Sequence, residues 1–312
     1  MIAEEIKSFT YEEAFERNLG WLTREEQNSL RRSCVAIAGL GGAGGYQTEA
    51  LARLGVGHFK IADHDVYEFS NLNRQAGATM ETIGCHKVEV MRDRILSINP
   101  EARIEIFSDG ITEENVGTFM EGADIVVDGI EFFEYEAKLL LFQMARKVQI
   151  PAVTCCPLGF GASAIIFSPG SMSYEDYFDF RKGMSEREKQ AKMSFGLSPS
   201  PFCFKYMNKR ALSFDQKRAA SVAPGLMLVG ALTASEAVKI LTGKEKVYCA
   251  PCVYQIDLLT YRVRHKYYRW GMKSLWMRFK RLLVIDFGLG IMKTFLARQK
   301  AHSPKFLPAT DH

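Results

Sequence analysis

Three glycines, two cations and two carboxylates are placed along this chain so that together they could grip a nucleotide. Gly39, Gly41 and Gly44 form a G-x-G-x-x-G arrangement directly after the apolar run 34–38. Glycines at such a strand end let backbone N–H groups come close to a phosphate, while the N-terminus of the following helix adds partial positive charge. Asp63 stands 24 positions beyond Gly39, about where an acid can accept hydrogen bonds from ribose hydroxyls. Arg74 follows in a short loop and Lys87 at a helix start, and both can neutralise phosphate oxygens. Asp128 closes another apolar run, and a carboxylate there can hold Mg2+, which prefers carboxylate and phosphate oxygens. A nicotinamide dehydrogenase shares such glycines but has no need of two cations beside them, so these residues favour ATP over NAD.

The elements that must position these groups alternate in type. Apolar spacing predicts a strand at 34–38, a helix through 47–54 stopped by Gly55 and Gly57, and a strand at 58–62. Helices at 86–97, 112–121 and 134–148 then alternate with strands at 103–107, 124–128 and 151–155. Such alternation argues for an α/β protein, a doubly wound and mostly parallel sheet that binds ligands beyond the C-terminal ends of its strands. A glycine turn at 159–162, a strand to 167, an apolar helix over 226–241 and a strand at 253–259 complete the domain.

Four regions are expected. Residues 1–33 form an N-terminal helical arm, amphipathic over 11–19 and with a capping-box pattern from Thr23 to Glu26. Residues 34–260 form the ATP-binding domain. Within it, 168–223 is looser in pattern, with prolines, glycines, aromatics and a charge run, and is expected to be a mobile crossover or lid. Residues 261–312 are a basic, aromatic, helical extension.

With 312 residues and 47% hydrophobic content, the chain can bury a large core, which excludes disorder throughout. A net charge of +4 is too small to argue for nucleic acid. Seven irregularly spaced cysteines form no disulfide framework, and residues 1–11 hold acids without an apolar signal core, so a reducing cytoplasm is expected. The basic surplus is concentrated late: eleven Lys/Arg against one acid, Asp286, lie between Tyr261 and Lys300. Basic flanks interleaved with Trp270, Trp276, Phe279, Phe287 and Phe295 suit an interfacial helix, which would make a peripheral contact with anionic membrane through 272–300. A helix packed on the domain or across a dimer is the other reading and stands slightly ahead of it.

The ordered motifs resemble those of the ThiF/MoeB/HesA family, adenylating enzymes related to ubiquitin-activating enzymes. The likeness is carried by Gly39-Leu40-Gly41-Gly42-Ala43-Gly44, Asp63-His64-Asp65, Ser70-Asn71-Leu72-Asn73-Arg74-Gln75, Gly84-Cys85-His86-Lys87 and Ile98-Asn99-Pro100. It implies a Rossmann-like domain with Gly42 and its neighbouring glycines along ATP, Asp63 on the ribose, and Ser70, Asn71, Asn73, Arg74 and Lys87 on the phosphates. Asp128 would hold Mg2+, with Gly129 beside it, and Arg17 would reach from the arm into the partner's site of a homodimer. The implied reaction is attack of a substrate carboxylate on the α-phosphate of ATP, giving an acyl-adenylate and pyrophosphate. Arg74, Lys87 and Arg17 would offset the charge developing there. The expected carboxylate is the C-terminus of a ubiquitin-like sulfur carrier or of a peptide. A small-molecule or tRNA-linked acid, as in the threonylcarbamoyladenosine dehydratases, is the alternative, followed by an NAD-dependent oxidoreductase or a non-catalytic scaffold.

Three departures stand out. Family members with structural zinc carry two Cys-x-x-Cys pairs, whereas this chain has one, Cys249 and Cys252, too few for a four-ligand site, so zinc is not expected. Cys203, flanked by Phe202 and Phe204, is the candidate acceptor thiol, with a small buried hydrophobe as its plainer reading. Cys155 and Cys156 close a buried strand, where thiols are usually inert. Asn73 also stands where relatives often have Gln, and Asp128-Gly129-Ile130 replaces a more polar turn.

Overall fold

A computed structural model describes residues 8–207 and 220–282. Its centre is an eight-stranded sheet in the order β3-β2-β1-β4-β5-β6-β7-β8. Strands β1 (Cys34–Ala38), β2 (His58–Ala62), β3 (Arg103–Phe107), β4 (Ile125–Asp128) and β5 (Ala152–Leu158) run parallel. After a turn at Gly159 and Phe160, β6 (Gly161–Phe167), β7 (Cys252–Asp257) and β8 (Arg262–Tyr267) continue the sheet antiparallel.

The helices are α1 (Tyr11–Ala14), α2 (Arg24–Arg32), α3 (Gly42–Arg53), α4 (Lys87–Ile98), α5 (Val116–Met120), α6 (Tyr135–Lys147), α7 (Tyr174–Phe178), α8 (Glu186–Leu197), α9 (Ala223–Thr242) and α10 (Leu275–Leu282). The period-two alternation of strand side chains sorts the core into two layers. Val35, Ile37, Ile125 and Val127 pack on the layer holding α3, α4 and α9, while Ala36, Ala38 and Val126 face α5 to α8. Parity therefore sends the side chain of Asp128 towards the second layer, a point that matters below.

The arm is anchored by a buried polar knot. The Tyr11 hydroxyl donates to the Gly55 carbonyl at 2.6 Å and accepts from Gln27 Nε2 at 2.8 Å, and that amide also donates to the Leu54 carbonyl at 2.9 Å. The predicted capping box forms at the head of α2, where Thr23 N donates to Glu26 Oε2 at 2.8 Å and Glu26 N donates to Thr23 Oγ1 at 3.2 Å. The stretch 11–19 is not one helix, since α1 gives way to a 3-10 turn at Glu16–Asn18.

Other expectations shift for identifiable reasons. The helix expected at 112–121 shrinks to α5. Asn115 Oδ1 accepts from Thr112 N at 2.9 Å and Thr112 Oγ1 accepts from Asn115 N at 3.3 Å, and the pair holds a turn instead. Segment 168–223 is packed over much of its described length. Tyr174, Tyr177 and Phe178 are buried, and Tyr174 stacks on Phe142 of α6 with centroids 4.1 Å apart. Residues 208–219, where the rest of the expected lid falls, lie outside the described residues. The extension expected from 261 begins as the edge strand β8, so the sheet runs on to Tyr267. Helix α9 is long and apolar enough to cross a bilayer, yet it packs between α3 and the strands β5 and β6.

Replacing Tyr11 by Phe strips a buried carbonyl and a buried amide of a partner, so unfolding in urea should show a loss of about 1–3 kcal/mol. An unchanged midpoint would mean that the arm is not held by this knot.

Candidate functional site

The strand-to-helix turn between β1 and α3 is shaped by close backbone approach. Gly39 has φ +85°, a left-handed conformation that side chains disfavour. A side chain at Gly44 would collide with the Gly39 carbonyl oxygen, and one at Gly39 would collide with Gly129. The glycine loop and the turn after β4 therefore touch through bare backbone. Asp63, one residue past β2, accepts from Leu40 N at 2.6 Å through Oδ2 and from Asp65 N at 2.9 Å through Oδ1. This carboxylate, nearly buried, clamps the loop from below.

The clamp extends to one of the expected cations. Lys87 is buried and donates to Asp65 Oδ2 at 2.8 Å, while its backbone N–H donates to the Asp65 carbonyl at 3.0 Å. Arg74 is half-buried and fixed by its own loop, donating to the Ser70 carbonyl at 2.6 Å and to Asn73 Oδ1 at 3.1 Å. Asn73 Nδ2 in turn donates to the Ser221 carbonyl, just ahead of α9, at 3.1 Å. Asn71, between them, accepts from Glu68 N at 3.0 Å and so shapes the turn that carries Ser70 and Arg74. Next to Arg74, the Gln75 amide lies against Gly41, and its buried Oε1 finds no hydrogen-bond partner among the described residues. Gly42 lies against the Leu226 side chain at the head of α9. A loop of bare backbone and two held cations fit a polyphosphate ligand, while the orphaned acceptor calls for a donor such as a hydroxyl or amino group.

Asp128 is placed differently from the sequence expectation of an open metal ligand. Its Oδ1 and Oδ2 accept from Lys138 Nζ at 2.7 and 2.8 Å, Oδ2 also accepts from Thr154 Oγ1 at 2.8 Å, and Oδ1 accepts from Ile130 N at 3.1 Å. Both side chains are buried. A Mg2+ ion at Asp128 would have to share a carboxylate already filled by an ammonium group. Gly129, by contrast, sits at the crevice, its N–H donating to the Ala38 carbonyl at 2.7 Å. The acid nearest along this turn that is exposed is Glu131. Asp63, His64 and Asp65 form the one group of three potential metal ligands found among the described residues, with ligand atoms within 4.8 Å of one another.

Arg17 is not brought to this chain's own crevice, and Cys203 is not presented to solvent. Arg17 is exposed on an arm tied to the C-terminal end of α3, about 18 Å along that helix from the glycine loop. Cys203 is buried in a 3-10 turn, and burial followed by the nearby Asp257 carboxylate pushes its thiol pKa up. Cys155 and Cys156 are driven to about 12 by burial, and no protein thiolate is prepared there. The sequence reading missed Lys138 and Thr154, and it placed Asp65 and Gln75 in motifs without giving either a role. The Lys138 signal was readable only in combination: an even-parity acid at the end of β4 and a lysine in the first turns of the next helix.

A family model for the ThiF family matches residues 15–269. The chain belongs to the ThiF family. Among its ThiF-family relatives, a tRNA threonylcarbamoyladenosine dehydratase of Bacillus subtilis is 37% identical over 141 residues, covering 45% of this chain and 55% of that protein. A probable molybdopterin-synthase adenylyltransferase of Porphyra purpurea is 27% identical over 225 residues, covering 72% of this chain and 52% of that protein. The match thus spans about half the length of these curated relatives. Among solved structures, E. coli MccB with ATP superimposes with a TM-score of 0.62 at 19% identity, covering 83% of this chain and 71% of that one. That likeness establishes the shared fold: a mostly parallel sheet flanked by helices, continued by antiparallel strands.

Replacing Lys138 by Met leaves a buried carboxylate unpaired, and chemical denaturation should register a loss of about 3–5 kcal/mol. Adding Asp128→Asn should recover much of that loss. A double variant as unstable as the single would show that the two side chains are not coupled.

Proposed function

We propose that this ThiF-family chain is an ATP-dependent adenylyltransferase that joins a substrate carboxylate to AMP and releases pyrophosphate. The observation that carries the reading is the glycine loop clamped by Asp63, with the orphaned Gln75 acceptor beside Gly41 and the cations Arg74 and Lys87 held on adjoining turns. In this reading, backbone N–H groups of the loop bind phosphate oxygens and Asp63 receives the ribose hydroxyls on its remaining lone pairs. Arg74 offsets charge as the carboxylate attacks the α-phosphate. Lys87 does the same through a side chain that Asp65 aims. The pair of Asp128 with Lys138 holds the Gly129 turn in place. Mg2+ accompanying ATP would supply further charge neutralisation, and the exposed carboxylate of Glu131 suits it better than Asp128.

The carboxylate is proposed to belong to a protein or peptide C-terminus. Phe69 and Leu72 after β2, Met227 at the head of α9, and Leu258 and Leu259 after β7 are all exposed at the crevice end of the sheet. An apolar rim of this kind suits a polypeptide surface more than a small free acid. A homodimer is part of the proposal, because Arg17 can serve a nucleotide site only from a second copy. Cys203, the expected acceptor thiol, is buried and its pKa is pushed up, which favours direct transfer from the adenylate.

Mg-ATP should raise the melting temperature of the purified chain and NAD should not, because a ligand that binds only the native state stabilises it by mass action. In Arg74→Ala, Mg-ATP affinity should fall by about 10-fold or more, read by calorimetry. A shift with NAD alone would overturn the adenylating assignment.

For Arg17, a titration of mixed subunits is decisive. Arg17→Ala and Arg74→Ala each weaken every site, but a mixed dimer regains one site with both arginines, so part of the wild-type binding should return on mixing. No recovery would remove Arg17 from the partner's site.

A further inference from the structure

The chain leaves the sheet through a basic stretch at the end away from the nucleotide crevice, in which Lys273 is paired with Asp176 at 2.6 Å and Arg278 lies 3.8 Å from Asp179. Strands β5, β6, β7 and β8 alternate in direction. Because β5 ends at the crevice, β8 must end at the opposite side, and Trp270 to α10 follow there. From Tyr261 to Leu282 there are eight Lys/Arg and no Asp or Glu. Helix α10 is held on the domain by one face: Met277 and the preceding Met272 are buried in the core beside Tyr177 and Phe178. On the side of the helix away from Met277, Leu275 is 81% exposed and Phe279, one turn on, is 51% exposed. Trp270 is 61% exposed with the Arg269 guanidinium 5.2 Å from its ring centroid.

Exposed Leu, Phe and Trp amid a surplus of Lys and Arg are a poor arrangement for water. They suit the boundary between acyl chains and anionic headgroups, where apolar side chains enter the bilayer and cations pair with phosphates. The sequence immediately after α10 is mostly apolar over 283–297, with Asp286 and Lys293 the charged positions. A nucleic acid would match the charge but not the apolar residues.

We infer that α10 and the basic stretch leading into it, residues 262–282, dock the protein on an anionic lipid bilayer. The docked face is carried by a helix packed on α8, in the layer that covers the face of the sheet holding α5 to α8.

The test uses the full chain and vesicles of phosphatidylcholine alone or with one-third phosphatidylglycerol. Co-sedimentation should occur with the anionic vesicles, weaken as salt is raised, and be slight with phosphatidylcholine alone. Leu275→Glu combined with Phe279→Glu should lower the vesicle affinity by about 10-fold or more, since two apolar anchors are lost and two like charges are introduced. Leu275 is 81% exposed, so Leu275→Glu alone should also bind the vesicles less tightly while keeping the parent's melting temperature and Mg-ATP response. Equal sedimentation of parent and variant would overturn the inference. So would a parent that ignores anionic vesicles while binding tRNA in a filter assay, because the basic face would then be serving nucleic acid.

Discussion

The buried contact between Asp128 and Lys138 holds together the parts on which the crevice depends. Four donated hydrogen bonds converge on one carboxylate, from α6, from β5 and from the turn that follows β4. That turn carries Gly129, whose backbone lies against Gly39 and Gly44. Moving the Gly129 turn displaces the glycine loop, because the contact between these two is backbone to backbone with no side chain to give way. An ion pair at this depth is expensive to desolvate and is repaid only with good geometry and further hydrogen bonds. Here both conditions are met, and the result is a fixed floor under the glycine loop.

Asp63 plays the complementary part from the other side of β1. One of its oxygens holds Leu40 N and the other holds Asp65 N, so the same carboxylate sets the loop height and the position of the acid that aims Lys87. The glycine loop is thus braced from β2 and from β4, the two neighbours of β1 in the sheet. The proposed chemistry relies on placement more than on reactive side chains, and the fold supplies placement through this double bracing.

Much of this was legible in the sequence because it is local. The glycine spacing, Asp63 after a five-residue strand, the capping box at Thr23 and the alternation of helix with strand each depend on residues a few positions apart. What escaped depends on neighbours distant in sequence or on parity. Asp128 reads as an open acid until the alternation of β4 turns its side chain towards α6, where Lys138 meets it. Tyr174, Tyr177 and Phe178 sit in a stretch with no clean period, and only their packing on Phe142 and Phe167 draws it into the core. Strand β8 hid behind its charges, because a strand with both faces exposed lacks the apolar alternation by which strands are recognised.

Those charges on β8 have a consequence of their own. An edge strand presents a row of unused backbone donors and acceptors to which another chain could add itself. Arg262, Arg264 and Lys266 put positive charge at every second position of that row. A second copy approaching edge to edge would bring the same charges against its own, so stacking of sheets from molecule to molecule is opposed at close range. The open side of this sheet is thereby kept from growing into a fibre while staying attractive to negative charge.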